Sequence, residues 1–348
     1  MKFLRIILLP LIPVYALVTA VRNYLFDKNI FKSSKVNAKV ISVGNLTVGG
    51  SGKTPTVIYL LNLLKERDQN PGVLSRGYGR KSKGYLLVSK DGRPLADVEQ
   101  CGDEIYHTVT ECGVAGAVSE NRADGAKKFI KDAGVSVIVL DDAFQHRWIE
   151  RDVNILIFEQ RFLWEKGIMS QSLLPTGIMR EPFASVKRAD AVIINRKFSG
   201  EKGIPEELSG LFNDRNIFKA RYAAVSIVDI KKKTIYKLTE FEGQKSLVVS
   251  GIANPFSFIN ILKQNNIDTQ NRLIFRDHKD YTDKEVQQIR KEFYSTNSHS
   301  VITTEKDAVK LTKFAKELDD IDIFYLKISL EMDDPVSFNN FLIDKLKI

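Results

Sequence analysis

Val43-Gly44-Asn45-Leu46-Thr47-Val48-Gly49-Gly50-Ser51-Gly52-Lys53-Thr54-Pro55 follows directly on the apolar run Val40-Ile41-Ser42-Val43. Gly49, Gly50 and Gly52 supply backbone that takes positive φ and leave no Cβ where an anion must approach, so exposed N–H groups can wrap it. A helix from about Thr54 to Leu64 then points its N-terminus, worth roughly half a positive charge, at the same anion. Pro55 suits the first helical turn, where its missing donor costs nothing. In such a loop Lys53 reaches the outer phosphates of a nucleotide and the Thr54 hydroxyl sits on a magnesium ion. Thr47, Val48 and Ser51 complete the expected phosphate-wrapping segment. The usual first glycine of a P-loop falls here on Thr47, a formal departure.

Other residues carry complementary chemistry. The apolar stretch Val135 to Leu140 ends in Asp141-Asp142, and in a P-loop protein an acid at a strand end holds magnesium directly or through water. Either acid suffices; Asp141 lies nearer the strand end and is favoured, against the plainer reading of a turn or helix cap. Gly102-Asp103-Glu104 sets acids beside a flexible residue, and Asp277-His278 offers an imidazole in the second half of the chain. Phosphoryl transfer to an alcohol needs a group that accepts its proton, and histidine, with an ordinary pKa of about 6.5, suits a partner role. Arginines sit among glycines in Ser75-Arg76-Gly77-Tyr78-Gly79-Arg80, and recur in Asn121-Arg122 and Arg180-Glu181-Pro182. A guanidinium on a loop can grip phosphate bidentately, although each alone reads as surface.

The elements that must position these residues are legible as apolar, β-branched runs separated by helical stretches: 72–74, 135–140, 153–158 and 191–194. Continuous apolar strands alternating with helices predict a mostly parallel sheet covered on both faces, a P-loop NTPase-like α/β fold. Over 221–241 two alternating strands flank Lys231-Lys232-Lys233 and predict an antiparallel hairpin. A smaller α/β lobe follows, with strands at 246–250, 300–303 and 323–326. The expected organisation is an N-terminal helix over 1–26, a P-loop core over 27–220, a hairpin linker over 221–243 and a second lobe over 244–348. With 348 residues there is room for two cores. Lys and Arg number 52 against 43 Asp and Glu, a formal charge of +9, which suggests an anionic partner. Cys101 and Cys112 match no zinc or C-x-x-C spacing and are expected as inert thiols in a reducing compartment.

Ile6 to Val21 is apolar, flanked by Lys2, Arg5 and Arg22, and interrupted by Pro10 and Pro13. It falls short of the roughly 20 residues a spanning helix needs. The expectation is a helix at the membrane interface with cationic ends at acidic headgroups. A spanning anchor, a signal peptide ending near Val18-Thr19-Ala20 and a core helix compete with it.

Taken together the motifs resemble the tetraacyldisaccharide 4'-kinases of lipid A biosynthesis. The resemblance rests on 44–55, 75–80 and 102–104, on Asp141-Asp142-Ala143-Phe144-Gln145-His146, and on Leu173-Leu174-Pro175-Thr176-Gly177 and Arg180-Glu181-Pro182. Gly251-Ile252-Ala253-Asn254-Pro255, Asp277-His278 and Thr304-Glu305-Lys306-Asp307-Ala308 complete it, in the family's order. It implies transfer of the ATP γ-phosphate, with Mg2+, to the 4'-hydroxyl of a tetraacyldisaccharide 1-phosphate at the cytoplasmic face of the inner membrane. By the same likeness Asp103 and His278 form the catalytic pair beside Lys53, with Asp103 the proton acceptor. Arg76, Arg122, His146, Arg180 and Glu181 contact the lipid A precursor, and Asn254 and Pro255 lie near the nucleotide. Neither nucleic acid nor an obligate protein partner is expected. Ala143 stands where the family often has glycine, Thr176, Ile178 and Met179 replace commoner residues, and Arg276 stands where proline is frequent; these bear on acyl-chain fit. The alternatives are a regulatory P-loop ATPase switch at the membrane, a nucleic-acid-dependent ATPase and, weakest, a purely structural or binding role in which the loop only holds an anion. A guanine-specific switch is disfavoured because Thr304-Glu305-Lys306-Asp307 has its lysine out of place.

Overall fold

The computed structural model describes residues 7–252, 255–276, 279 and 281–348. They form two compact units. The first runs from the N-terminal helix to Arg196 and takes in 201–220 and 332–348; the second comprises 197–200 and 221–331.

The strands of the first unit are β1 (Lys39–Gly44), β2 (Pro71–Ser75), β3 (Leu86–Lys90), β4 (Arg93–Pro94), β5 (Ala115–Val118), β6 (Val137–Leu140), β7 (Val153–Glu159) and β8 (Ala191–Asn195). They lie in the order β8-β7-β1-β6-β2-β5-β3-β4. Pairing is parallel from β8 to β5, and β3 and β4 close that edge antiparallel. Every residue of β2, β5, β6 and β8 is buried. Both faces of the sheet are covered, and that is why these strands read as unbroken apolar runs rather than alternating ones.

Helices α1 (Ile12–Asp27), α2 (Lys53–Glu66), α3 (Asp103–Cys112) and α4 (Arg122–Ala133) serve the site. Gly52, at φ 105°, turns the chain into α2, which buries Val57, Leu60, Leu61 and Leu64 along one side. Asn121 caps α4 by accepting the N–H groups of Ala123 and Asp124, and Gly134 ends it in the left-handed region. The register Ser42↔Leu140 brings the carboxyl ends of β1 and β6 side by side. The glycine-rich loop and Asp141-Asp142 therefore leave the sheet together, in the crevice where open α/β sheets bind ligands. A Cβ on Gly44 would lie 2.7 Å from the Phe144 backbone nitrogen, so the two loops approach this closely only with glycine there.

β9 (Asn216–Asp229) begins in the first unit, parallel to β8, and ends in the second. Its far half pairs antiparallel with β10 (Ile235–Tyr236) around the lysine turn. The hairpin predicted as a linker is part of the second unit, because Ile227 and Phe241 are buried in that unit's core. There β11 (Ser246–Ser250) lies parallel to β12 (Asn271–Ile274) and β13 (Ser300–Thr304), and β13 parallel to β14 (Ile323–Met332). Helices α5 (Pro255–Gln264), α6 (Asp283–Ser295) and α7 (Glu305–Leu311) complete the unit. The second unit ends at residue 331 rather than running to 348. The final helix, α8 (Pro335–Leu346), belongs to the first. Its Phe338 is fully buried edge-on to Phe218 and beside Tyr59 of α2, and the Tyr59 hydroxyl donates to Asn339 at 3.0 Å.

Candidate active site

The phosphate loop is braced from the side by the segment that follows Pro175. Val48 N–H donates to the Ile178 carbonyl at 2.8 Å and Arg180 N–H to the Leu46 carbonyl at 2.6 Å. Among the described residues, no atom lies within 4 Å of where a Cβ would stand on Gly49 or Gly50, so that side of the loop is open. Lys53 Nζ is 3.4 Å from Asn45 Oδ1, 3.4 Å from the Gly49 carbonyl and 3.8 Å from Asp142 Oδ1. The Arg180 guanidinium forks onto both Asp142 oxygens at 3.0 and 2.7 Å and also donates to Asn45. Asp142 sits at φ 48° in the turn off β6. Burial alone would raise its pKa, but the Arg180 hydrogen bonds, with Lys53 and Arg122, outweigh it and hold the carboxyl below its ordinary range.

Asp141 is the opposite case. It is buried, and its Oδ1 has no hydrogen-bond partner among the described residues. Burial, and then the nearby Glu104 and Asp142 charges, push it up to about 7 against the pull of Lys53 and Arg122. A buried carboxylate oxygen left unsatisfied is expensive, and a bound cation would satisfy it. Among the described residues no cluster of three or more His, Cys, Asp or Glu side chains could hold an ion unaided. One or two protein ligands completed by phosphates and water is the manner in which magnesium is bound. Asp141 and the donor set of the loop thus fit that ion, while Asp142 is engaged by arginine and lysine.

Asp103 is the first residue of α3 and is exposed; its Oδ1 accepts the Glu104 N–H at 2.9 Å. Gly102 ahead of it has φ 97°, and a Cβ there would lie 2.8 Å from the Tyr78 carbonyl. Glycine is thereby what lets the loop 75–80 seat against the start of α3. Arg80 in that loop is structural, bonded to Glu120 and to the Gly84 carbonyl. Arg76 is exposed. Arg122, at the start of α4, is buried, and its Nε has no hydrogen-bond partner among the described residues; burial and then Arg76 bring it down to about 10, opposed by Asp141, Asp142 and Glu120. His146 faces the same cations. Burial, followed by Arg122, Arg151, Arg22 and Arg76, pushes its imidazole down to about 4, so it is neutral near pH 7. A cavity of about 460 Å³ opens beside His146, lined also by Lys32, Asn121, Asp124 and Trp148.

α1 is inside out relative to a helix of a soluble core. Ile12, Tyr15, Ala16, Thr19, Arg22, Asn23 and Phe26 form the sheltered stripe, whereas Val14, Leu17, Val18 and Val21 are 48–64% exposed. The helical stretch Leu9–Asp27, with its leading 3-10 turn, is 19 residues at mean hydropathy 1.3. The helix ends at Asp27, one residue past the expected 1–26, and beyond the apolar run Arg22, Asn23 and Asp27 find partners in Gln145, Glu181 and Arg147. Glu181 is buried and also pairs with Arg188 at 2.6 Å.

The first unit therefore gathers Thr47 to Thr54, Asp141, Asp142 and Arg180 at the loop, with Asp103, Arg76, Arg122 and His146 borne on the adjoining strand-to-helix turns. Asn254 and His278 lie outside the described residues, and Pro255 begins α5 in the second unit. Sequence reasoning missed Asn45, Gln145 and Arg151. Asn45 is fully buried and bridges Lys53 and Arg180; Gln145 donates to its carbonyl at 2.9 Å. Arg151 donates to the Phe144 and His146 carbonyls and so shapes the turn that carries His146. Polar residues inside an otherwise apolar strand-end segment were the available signal.

A parallel sheet with a glycine-rich loop, a following lysine and an acid on the adjacent strand defines a P-loop phosphotransferase. The family described as LpxK, Tetraacyldisaccharide-1-P 4'-kinase, matches residues 4–347. Relatives bearing the name Tetraacyldisaccharide 4'-kinase include one from Shewanella sediminis, 33% identical over 100% of this chain and 92% of its own length. Another, from Phocaeicola vulgatus, is 36% identical over 87% of this chain and 84% of its own. The crystal structure of LpxK from Aquifex aeolicus in complex with ATP superposes with a TM-score of 0.79 at 31% identity, covering 99% of both chains. The chain belongs to the tetraacyldisaccharide-1-phosphate 4'-kinase family, and its activity is that of an ATP-dependent lipid A precursor 4'-kinase rather than of a regulatory ATPase switch.

Proposed function

We propose that the glycine-rich loop holds ATP through Thr47 to Thr54, with Lys53 on its outer phosphates, and that Asp103 accepts the proton of the attacking 4'-hydroxyl. As the new oxygen–phosphorus bond forms, the bond from the γ-phosphorus to the bridging oxygen breaks and ADP leaves. Asp141 and Thr54 would hold Mg2+, which when bound offsets phosphate charge. The observation that carries this reading is the orphaned Asp141 oxygen beside Lys53, at the mouth of an open phosphate loop. Arg76 and Arg122 suit the anionic headgroup of the acceptor, and the cavity beside neutral His146 suits its sugars. Asn254, Pro255 and His278 are proposed as further nucleotide and catalytic contacts on the family resemblance alone.

The exposed apolar side of α1 supports attachment to a membrane surface, lying in the interface on the cytoplasmic side, where ATP is found. The test is transfer of labelled γ-phosphate from ATP to tetraacyldisaccharide 1-phosphate in detergent micelles, with Lys53→Ala as control. Labelled lipid that requires both magnesium and Lys53 supports the assignment. Hydrolysis of ATP without labelled lipid overturns it.

A further inference from the structure

The sheltered side of α1 holds the first unit by polar bonds, and two of them end on the residues that hold Asn45. The Tyr15 hydroxyl donates to the Arg180 carbonyl at 3.1 Å, and Arg22 donates to the Gln145 carbonyl at 2.6 Å. Gln145 and Arg180 both donate to the Asn45 carbonyl, at 2.9 and 3.1 Å, and Arg180 also bonds the Asn45 amide oxygen, which faces Lys53. Phe26 is the one buried residue of α1, packed edge-on against Phe31 and Trp148 at its C-terminal end, and these polar bonds hold the helix along the rest of its sheltered side. The bonds thus form one contiguous path from α1, through Arg180 and Gln145, to the residue that faces Lys53.

We infer that Tyr15 and Arg22 are positioning residues for the phosphate loop, acting through Arg180 and Gln145 on Asn45, so that the seating of the N-terminal helix sets affinity for ATP as well as attachment to lipid. The inference rests on the reading of the loop as the ATP site. It goes beyond an anchoring role, which would leave nucleotide affinity untouched. Because binding linkage is reciprocal, ATP must then also favour the seated helix.

The test is calorimetric titration of the full chain in dodecyl maltoside micelles with magnesium and a non-hydrolysable ATP analogue, in the absence of acceptor lipid. Arg22→Met should weaken binding by about 3–10-fold, Arg22→Lys should restore part of it, and Tyr15→Phe should weaken it by about 2–4-fold. Gln145→Leu should weaken it likewise, and Arg22→Met should add little on that background. Equal affinity in wild type, Arg22→Met and Tyr15→Phe overturns the inference. Failure of the wild type itself to bind overturns instead the ATP-site reading. A melting scan accompanies each variant. Should Arg22→Met lose its fold, Tyr15→Phe, which removes one hydroxyl, decides the question.

Discussion

Asp141→Asn should make the ligand-free protein more stable while abolishing its turnover. The buried carboxyl has a folded-state pKa of about 7 against an ordinary 3.8, raised by burial and then by Glu104 and Asp142. A carboxyl whose pKa rises on folding destabilises the fold as pH increases from its unfolded to its folded value, and the penalty is constant above that. The gap corresponds to about 4 kcal/mol at pH 8 and about 1.5 kcal/mol at pH 5. Asparagine keeps the shape and removes the charge. If relaxation absorbs half of the penalty, about 2 kcal/mol remains at pH 8, or about 4–8 °C in Tm for a unit of this size. The assay is calorimetric melting of wild type and variant with EDTA and no nucleotide, from pH 4.5 to 8. The Tm gain should grow up to about pH 7 and then level off. A loss of stability, or a gain equal at pH 5 and pH 8, would refute the electrostatic reasoning.

Lys53→Ala should lower kcat by about 10²–10³-fold, measured as labelled lipid formed at saturating ATP. Asp103→Asn should reduce kcat by a similar or larger factor while the Kd for ATP stays within about twofold; near-normal turnover would remove Asp103 as proton acceptor. Gly102→Ala meets both a φ of 97° and the Tyr78 carbonyl at 2.8 Å, so urea denaturation should show a loss of about 1–3 kcal/mol, with kcat falling as Asp103 is displaced. Leu17→Glu, on the exposed side of α1, should leave Tm unchanged and weaken sedimentation with phosphatidylglycerol vesicles by about tenfold or more.

Two of the buried strands were readable because their apolar runs are continuous and β-branched: β6 and β8 lie almost where the pattern put them, whereas the equally buried β5, Ala115-Gly116-Ala117-Val118, has too little bulk to stand out. The edge pair β3 and β4 escaped notice, since β4 is two exposed residues and β3 is only half buried. The loop Gly49 to Thr54 was legible as a strand-to-helix turn from residue type and spacing alone. The two acids were not separable there: Asp141 and Asp142 are identical in sequence terms, and only the arginine that reaches one of them distinguishes their surroundings. Arg80 and Arg122 likewise look equivalent in the chain, yet one is spent on Glu120 and the other is buried toward the site. The polar stripe Tyr15, Thr19, Arg22, Asn23 has helical spacing and was available to be read, but the apolar majority around it masked it.

The return of α8 to the first unit has a consequence for biosynthesis. Phe338 closes over Tyr59 and Phe218, so the helix behind the phosphate loop lacks part of its covering until the ribosome has made residues 332–348. At a usual elongation rate of about 5–20 residues per second, the 111 residues from 221 to 331 separate the rest of this unit from its last piece by several seconds or more. The second unit can fold during that interval; the phosphate-binding unit is completed last, and a nascent chain arrested before α8 would present an apolar groove to whatever chaperone is at hand.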